Sequence, residues 1–414
     1  MLFRQFVDDD LGCGSYLVGD VDAGDAIVVD PAFAIEQYLE GARREGVRIT
    51  RVVETHTHAD HLSGHGRFAL EHDLPTSIHP LARPEYPFDP LGDGLVLRVG
   101  SVAMRVVHTP GHRPEHCAFV LAEELVLTGD SLFVGDAARP DLAIDAREGA
   151  ADLHRSLRRL AELPAAVVVY PGHVAGSLCG TNMSDDHSTS IGRERQTNHA
   201  LRAKLGEFVE ESASMTTPKP PTTERLVALN RGPWVGARPP LREVDSVGDA
   251  LVLDVRPVDT FAAGHLPGAI SVALDGGSFA TRAAFVLDPA ERVVLHVQSQ
   301  AEADEAARLL HAVGLFEQLG FVRTEGRERL QTVSVQEVNG RMQMLDVREA
   351  GEEPRTDWLT VPFRLLRIAP PKLDRSRPVF TICASGARAT LAASLLVRQG
   401  FDARPVVGGG VGDL

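Results

Sequence analysis

Residues Thr55-His56-Thr57-His58-Ala59-Asp60-His61 place four potential metal ligands within six residues, directly after the apolar, β-branched run Arg51-Val52-Val53-Glu54. Imidazole and carboxylate are the natural ligands of zinc, iron and similar divalent ions. A strand that ends in a turn presents such groups together at a sheet edge. Clustered ionisable side chains that leave water need partners, and a shared cation is one. Three further candidates follow at wide intervals. His112 stands in Thr109-Pro110-Gly111-His112, Asp130 closes Leu125–Asp130, and His173 follows Val167–Gly172. Each lies just past an apolar run, within a Gly-containing turn, so the spacing points to one site at one edge of a sheet.

The set His56-Thr57-His58-Ala59-Asp60-His61, His112, Asp130 and His173 resembles the metallo-β-lactamase fold in its glyoxalase II and persulfide dioxygenase branch. The resemblance covers about the first 210 residues and implies an α/β fold, an αββα sandwich. It also implies two alternative uses of the same seven side chains. In hydrolases of this fold, His56, His58 and His112 would hold one zinc and Asp60, His61 and His173 another. Asp130 would bridge them, and a metal-bound hydroxide would attack a thioester. In persulfide dioxygenases, His56, His112 and Asp130 would hold a single Fe(II) with open positions for substrate and O2. His58, Asp60, His61 and His173 would then orient ligands and substrate.

At 414 residues the chain is long for one domain. Ile35–Glu45 and Glu148–Leu163 read as amphipathic helices, and Ser188 to about Glu211 as a polar helical segment. The first domain is expected over 1–211. A Pro-rich linker follows over 212–240, partly packed on the first domain. Beyond it the chain repeats itself: Leu253-Asp254-Val255-Arg256 recurs as Leu345-Asp346-Val347-Arg348, and Leu309-Leu310 three residues before Gly314 recurs as Leu395-Leu396 before Gly400.

Both copies, 241–328 and 329–414, resemble small α/β rhodanese domains. The first carries Gly264-His265-Leu266-Pro267-Gly268-Ala269; the second carries the loop Cys383-Ala384-Ser385-Gly386-Ala387-Arg388. Aligned through the Leu-Leu segment, Cys383 falls on Val297, Gly386 on Gln300 and Arg388 on Glu302. The first copy is therefore expected to be degenerate and the second to be the sulfurtransferase. The second departs from the family where Glu353–Pro362 replaces the Gly-His-x-Pro-Gly-Ala element.

Cys383 ends the apolar run Val379–Ile382 and opens a tight loop before a helix. Loop amides aimed at the sulfur would stabilise its thiolate, which could accept a sulfane sulfur and pass it on by displacement. Arg388 could bind an anion such as thiosulfate or sulfite. Two other features favour the dioxygenase alternative. Arg139-Pro140-Asp141 resembles the Arg-x-Asp stretch of persulfide dioxygenases, making Arg139 and Asp141 substrate-binding candidates. A sulfurtransferase module downstream would join consecutive steps on sulfane sulfur. Cys179, in Gly176-Ser177-Leu178-Cys179-Gly180, is a candidate second sulfur-bearing thiol near the metal. Cys117 reads as core, and Cys13 has no role assignable from its neighbours.

The formal charge of −15 argues against nucleic acid and anionic membranes as partners. No run of 18 apolar residues predicts a transmembrane helix, and the acidic N-terminal stretch lacks the apolar core of a secretory signal. Four dispersed cysteines suit a reducing cytoplasm. The expected partners are a low-molecular-weight thiol persulfide, O2, and sulfite or thiosulfate, with a homo-oligomer expected from the resemblance.

Overall fold

In the computed structural model, the period-two apolar runs of the first two hundred residues form two six-stranded sheets. One orders β1 (Leu2–Asp8), β2 (Cys13–Asp20), β3 (Asp25–Val29), β4 (Arg48–Val53), β5 (Thr76–Ile78) and β6 (Asp89–Pro90) in sequence. The other runs from β7 (Val96–Val99) through β8 (Val102–His108), β9 (Cys117–Leu121), β10 (Leu125–Gly129) and β11 (Val168–Pro171) to β12 (Thr189–Ser190). All residues are described except 175–183, 185, 215–217, 350–351, 353–357, 369 and 371.

Alternation along the strands explains the layering. On β3, Ile27 and Val29 face inward and pack with Met104, Val106, Phe119 and Leu127 of the second sheet. Ala26 and Val28 face outward and pack with Tyr38 of α1 (Glu36–Glu45) and Phe68 of α2 (His65–His72). On the far side, Val126 and Val169 meet Leu153, Leu157 and Leu160 of α3 (Ala146–Leu160). The result is helix, sheet, sheet, helix. Each large apolar side chain buried this way contributes about 1.5–3 kcal/mol.

Two helical expectations need adjustment. The helix expected at Glu148 begins at Ala146, because Asp145 caps it through the N–H groups of Arg147 and Glu148. The polar segment after Ser188 is three helices, α4 (Ile191–Thr197), α5 (His199–Arg202) and α6 (Leu205–Ser214). It breaks at buried Asn198, which caps α5 and donates its amide to Asp136 and Glu194. The stretch read as linker contains a further helix, α7 (Thr223–Arg231). By contacts, the chain divides into Met1–Thr217 with Thr223–Arg238 and Ala312–Gly314, and Pro218–Thr222 with Pro239–His311 and Leu315–Leu414.

The second unit contains the repeat. Its first copy has β13 (Leu251–Asp254), β14 (Ile270–Ser271), β15 (Val293–His296) and β16 (Gln318–Val322), with helices α8 (Val258–Ala263), α9 (Phe279–Val286) and α10 (Gln300–Ala312). The second has β17 (Val333–Ser334), β18 (Gln343–Asp346), β19 (Leu359–Thr360), β20 (Val379–Ile382), α11 (Ala387–Arg398) and β21 (Ala403–Val407). The sheet orders are β14-β13-β15-β16 and β17-β21-β20-β18-β19, and a parallel bridge from Glu243 to Phe321 supplies the first copy's counterpart of β17. Both sheets are parallel throughout. The repeated Asp-Val-Arg makes the same buried ion pair twice, Asp254–Arg256 with Nε–O at 2.8 Å and Asp346–Arg348 at 3.0 Å.

Candidate metal centre and candidate nucleophile

The ends of β4, β8, β10 and β11 release the seven expected side chains at one edge of the sandwich. The structure sorts them into three groups, all buried except the partly exposed Asp60. In the first, His56 Nε2, His112 Nε2 and Asp130 Oδ2 converge, with Asp130 Oδ2 at 4.0 Å from His56 and 3.5 Å from His112. His56 Nε2 and Asp130 Oδ2 are buried without hydrogen-bond partners. Two unpartnered buried lone pairs of this kind are costly unless an ion sits between them. The residues present therefore fit a divalent cation held by two imidazoles and one carboxylate.

Each of these three side chains is held from behind. His56 Nδ1 lies 2.8 Å from Thr55 Oγ1, whose hydroxyl and N–H both go to Asp30. His112 Nδ1 donates to the Arg139 carbonyl at 2.9 Å, and Asp130 Oδ1 accepts from His173 Nδ1 at 2.8 Å. Burial, reinforced by the neighbouring imidazoles, holds His56 well below the ordinary histidine range, so it is neutral and free to ligate. Burial alone would raise the Asp130 carboxyl, but His173 and His112 outweigh it and hold it well below the usual carboxylate range.

The second group joins Asp60, His61 and His173 to Cys13. His173 Nε2 donates to Asp60 Oδ2 at 2.7 Å, and Cys13 Sγ lies 3.3 Å from His173 Nε2. The third group sets His58 Nε2 against Glu54 at 3.1 Å and Asp30 at 3.4 Å. Glu54 also accepts from Ser63 Oγ at 2.5 Å and His65 at 3.0 Å. Burial would lower His58, yet hydrogen bonds to Asp30 and Glu54 reverse this and raise it well above its ordinary value. Asn230 of α7 fixes the loop that carries these candidate ligands: its amide donates to the carbonyls of His58 at 2.9 Å and His61 at 2.8 Å and accepts from the Ser63 N–H at 2.9 Å.

Arg139 and Asp141 are brought to this edge, but their side chains pair with each other at 2.7 and 2.8 Å. What Arg139 gives the site directly is its backbone carbonyl on His112. Cys179 lies outside the described residues. Cys117 is in the core between the sheets, as expected.

In the second unit, Cys383 follows β20 and is 1% exposed. Gly386, the residue before α11, has φ +102°, a conformation that favours glycine, and its N–H donates to Cys383 Sγ at 3.1 Å. The Arg388 guanidinium grips Glu352 with both nitrogens, at 2.5 and 3.1 Å. At the matching place in the first copy, Val297 follows β15, is also 1% exposed, and has its N–H on the Val322 carbonyl at 3.1 Å.

The metallo-beta-lactamase superfamily model matches residues 8–173. The chain is 31% identical over 204 residues to an uncharacterized protein of Aquifex aeolicus, covering 44% of this chain and 88% of that one. The chain belongs to the metallo-β-lactamase superfamily. A rhodanese-like domain model matches residues 241–324, so this superfamily member is fused to a rhodanese-like region; the matched copy is the one with Val297. The mouse mitochondrial persulfide dioxygenase ETHE1 is 28% identical over 242 residues, spanning 56% of this chain and 87% of its own. Two solved structures share the fold. A metallo-beta-lactamase from Staphylococcus aureus has TM-score 0.71 and 26% identity, covering 78% of this chain and 98% of its own. ETHE1 from Myxococcus xanthus has TM-score 0.51 and 28% identity, covering 56% and 98%.

Several side chains in this superfamily member's site escaped sequence reasoning. Asp30, Glu54 and Thr55 lie beside the ligand motif but read as strand ends. His116 receives the Asp130 N–H on Nε2 at 2.9 Å, with its Nδ1 proton on Thr109 at 2.8 Å. Burial, first of several causes, pushes His116 down to about 3. Cys13 and His116 share a signal: each stands at or beside the start of a strand, β2 or β9, that runs antiparallel to a strand whose end carries site residues. No helix among the described residues is long and apolar enough to cross a membrane.

Proposed function

We propose that the first unit oxidises a low-molecular-weight thiol persulfide with O2 at a single Fe(II), and that the second moves sulfane sulfur through Cys383. The convergence of His56 Nε2, His112 Nε2 and Asp130 Oδ2, two of them buried and unpartnered, carries this reading. Two imidazoles and one carboxylate are the donor set of non-haem iron oxygenases with open positions. Support comes from relatives named persulfide dioxygenase and from the fusion to a rhodanese-like region. Iron bound there would supply the means of bringing persulfide sulfur and O2 together. The balanced overall reaction is RSSH + O2 + H2O → RSH + sulfite + 2 H⁺.

The chain's own residues set the geometry. Thr55, the Arg139 carbonyl and His173 orient the three ligands, so each lone pair is aimed before an ion arrives. In the second unit, the Cys383 thiolate attacks the outer sulfur of a persulfide; that S–S bond breaks, RS⁻ leaves, and the enzyme carries Cys-S-SH. Attack by sulfite then releases thiosulfate and restores the thiolate. Both displacements are reversible, so thiosulfate can also supply the sulfane sulfur. The Gly386 N–H is placed to receive the sulfur's negative charge.

Anaerobic purification with metal analysis, followed by O2 uptake on glutathione persulfide, tests the reading. One iron per chain and sulfite formation are expected, with His112→Ala losing both. Cys383→Ser should keep O2 uptake and lose conversion between sulfite and thiosulfate. Two zinc ions per chain, turnover of glutathione thioesters and no O2 uptake would overturn the proposal in favour of a hydrolase.

A further inference from the structure

The cation beside the Cys383 loop is already matched with an anion. Arg388 stands in the first turn of α11, close enough for its charge and a Cys383 thiolate to attract. Its fork is closed on Glu352, Nη1 to Oε1 at 2.5 Å and Nη2 to Oε2 at 3.1 Å. Glu352 is fixed in turn: its N–H donates to the Glu349 carbonyl at 3.0 Å, and its Oε1 accepts from the Glu349 N–H at 2.9 Å. Two neighbouring arginines are paired as well, Arg348 with Asp346 at 2.8 Å and Arg364 with Glu349 at 2.8 Å. Cys383 Sγ receives a backbone N–H instead, that of Gly386 at 3.1 Å.

We propose that Glu352 is a specificity-determining residue, an internal anion that reserves Arg388 and makes Cys383 take sulfane sulfur from thiol persulfides in preference to thiosulfate. The inference rests on the reading of Cys383 as the sulfur-transferring nucleophile. A guanidinium held by a carboxylate through two charge-assisted bonds is hard to displace. Thiosulfate is a dianion whose sulfonate end suits the same fork. It must expel Glu352 from Arg388 or dock beside an unmoved carboxylate, and either weakens its binding. A persulfide needs no guanidinium at its reacting sulfurs. The Cys383 thiolate attacks the outer sulfur, the S–S bond breaks, and RS⁻ leaves with the electron pair, while the Gly386 amide meets the charge on Cys383. With thiosulfate the same attack releases sulfite. Forward and reverse share one transition state, so Glu352 also slows sulfite attack on the loaded cysteine. The favoured traffic runs between thiol persulfides and thiols, and exchange with thiosulfate is the slower branch. Arg388 is then a positioning residue, tied to Glu352, and not the receptor for the donor.

The test measures sulfur transfer by the full-length protein without oxygen, with thiosulfate or the persulfide of β-mercaptoethanol, whose carrier is uncharged, as donor. Wild type should show the higher kcat/KM with the persulfide and a high KM for thiosulfate. Glu352→Gln keeps the side-chain shape and removes the competing charge. It should raise kcat/KM for thiosulfate about tenfold to a hundredfold, through KM, and move the donor ratio the same way. Sulfate, an unreactive anion of similar shape, should inhibit Glu352→Gln and leave wild type unaffected. A merely structural Glu352 would instead lower transfer from both donors and bring no sulfate inhibition, which overturns the proposal. An unchanged donor ratio in Glu352→Gln overturns it too. So does a wild-type protein that uses both donors equally, a measurement that needs no variant to fold. Mass spectrometry of Cys383 judges the underlying reading separately. A cysteine that gains no sulfur from either donor removes that reading and this proposal with it, whereas one loaded equally by both removes the proposal alone.

Discussion

A single methyl group at Gly172 tests how tightly the metal centre is built. A Cβ there would stand 2.5 Å from Asp130 Oδ1 and 2.9 Å from the Gly129 carbonyl carbon, against an ordinary contact of 3.4 Å or more. The backbone cannot readily yield: the Gly172 N–H is bonded to the Gly129 carbonyl at 2.8 Å, and its own carbonyl accepts from Gly14 at 2.7 Å. The carboxylate must therefore move by about 1 Å, and a misplacement of that size costs about a hundredfold in rate. Moving Oδ1 breaks its 2.8 Å bond to His173 and swings Oδ2 away from His56 and His112. Overpacking of this kind also costs about 1–3 kcal/mol of stability. Gly172→Ala should thus bind less iron and lose persulfide-dependent O2 uptake while Cys383-dependent sulfur transfer persists. Iron per chain, kcat/KM for O2 uptake and a urea unfolding midpoint, compared with wild type, read these effects apart. A Gly172→Ala protein with full iron and wild-type kcat/KM would refute the claim that Asp130 is a ligand fixed by this close approach.

Asn230→Ala removes three buried hydrogen bonds to the ligand loop and should destabilise the chain by about 3 kcal/mol, read from denaturant midpoints at constant slope. His116 is neutral in the folded chain down to about pH 3, against an ordinary value of 6.5. The unfolded chain then binds the extra proton first, so this group's contribution is fully present above pH 6.5 and declines as pH falls toward 3. By pH 5 the loss is about 2 kcal/mol, and His116→Gln should flatten that part of the stability profile. Gly386→Ala forces a side chain into φ +102° and should cost about 1–3 kcal/mol locally. Its sulfur transfer should fall, with O2 uptake unchanged, when both are assayed on one preparation.

The metal motif and the repeat were legible because both are local patterns read at fixed spacing. Seven candidate positions past strand ends become one edge of a sandwich once the strands pair. The supporting residues were not legible, because pairing alone brings them in. Cys13 reaches His173 across 160 positions, and His116 reaches Asp130 only because β9 runs against β10. The general form of this signal is topological: where a strand's end carries a ligand, the start of its antiparallel neighbour lies beside it. Asn230 was hidden for another reason. Its helix follows a Pro-rich stretch whose composition reads as linker, and nothing in the pattern of α7 announces a polar residue 2% exposed beneath the ligand loop.

The repeat separates what the rhodanese-like fold needs from what its chemistry needs. Asp-Val-Arg survives in both copies because a buried aspartate at the end of the central strand requires its arginine: Asp254 and Asp346 are 0% exposed, and an unpaired charge there is far costlier than the pair. The loop after the next strand carries no such obligation. Val297 and Cys383 occupy matching positions, both 1% exposed, and a valine fills that space as well as a thiol does. A valine in place of the cysteine thus goes with the same strand order and the same ion pair in the first copy. The glycine differs in the same sense. Gly386 adopts φ +102° and turns its N–H to Sγ, whereas Gln300 simply begins α10. The sulfur transfer proposed above would therefore fall to the second copy, where the candidate nucleophile meets a backbone amide placed to receive its charge.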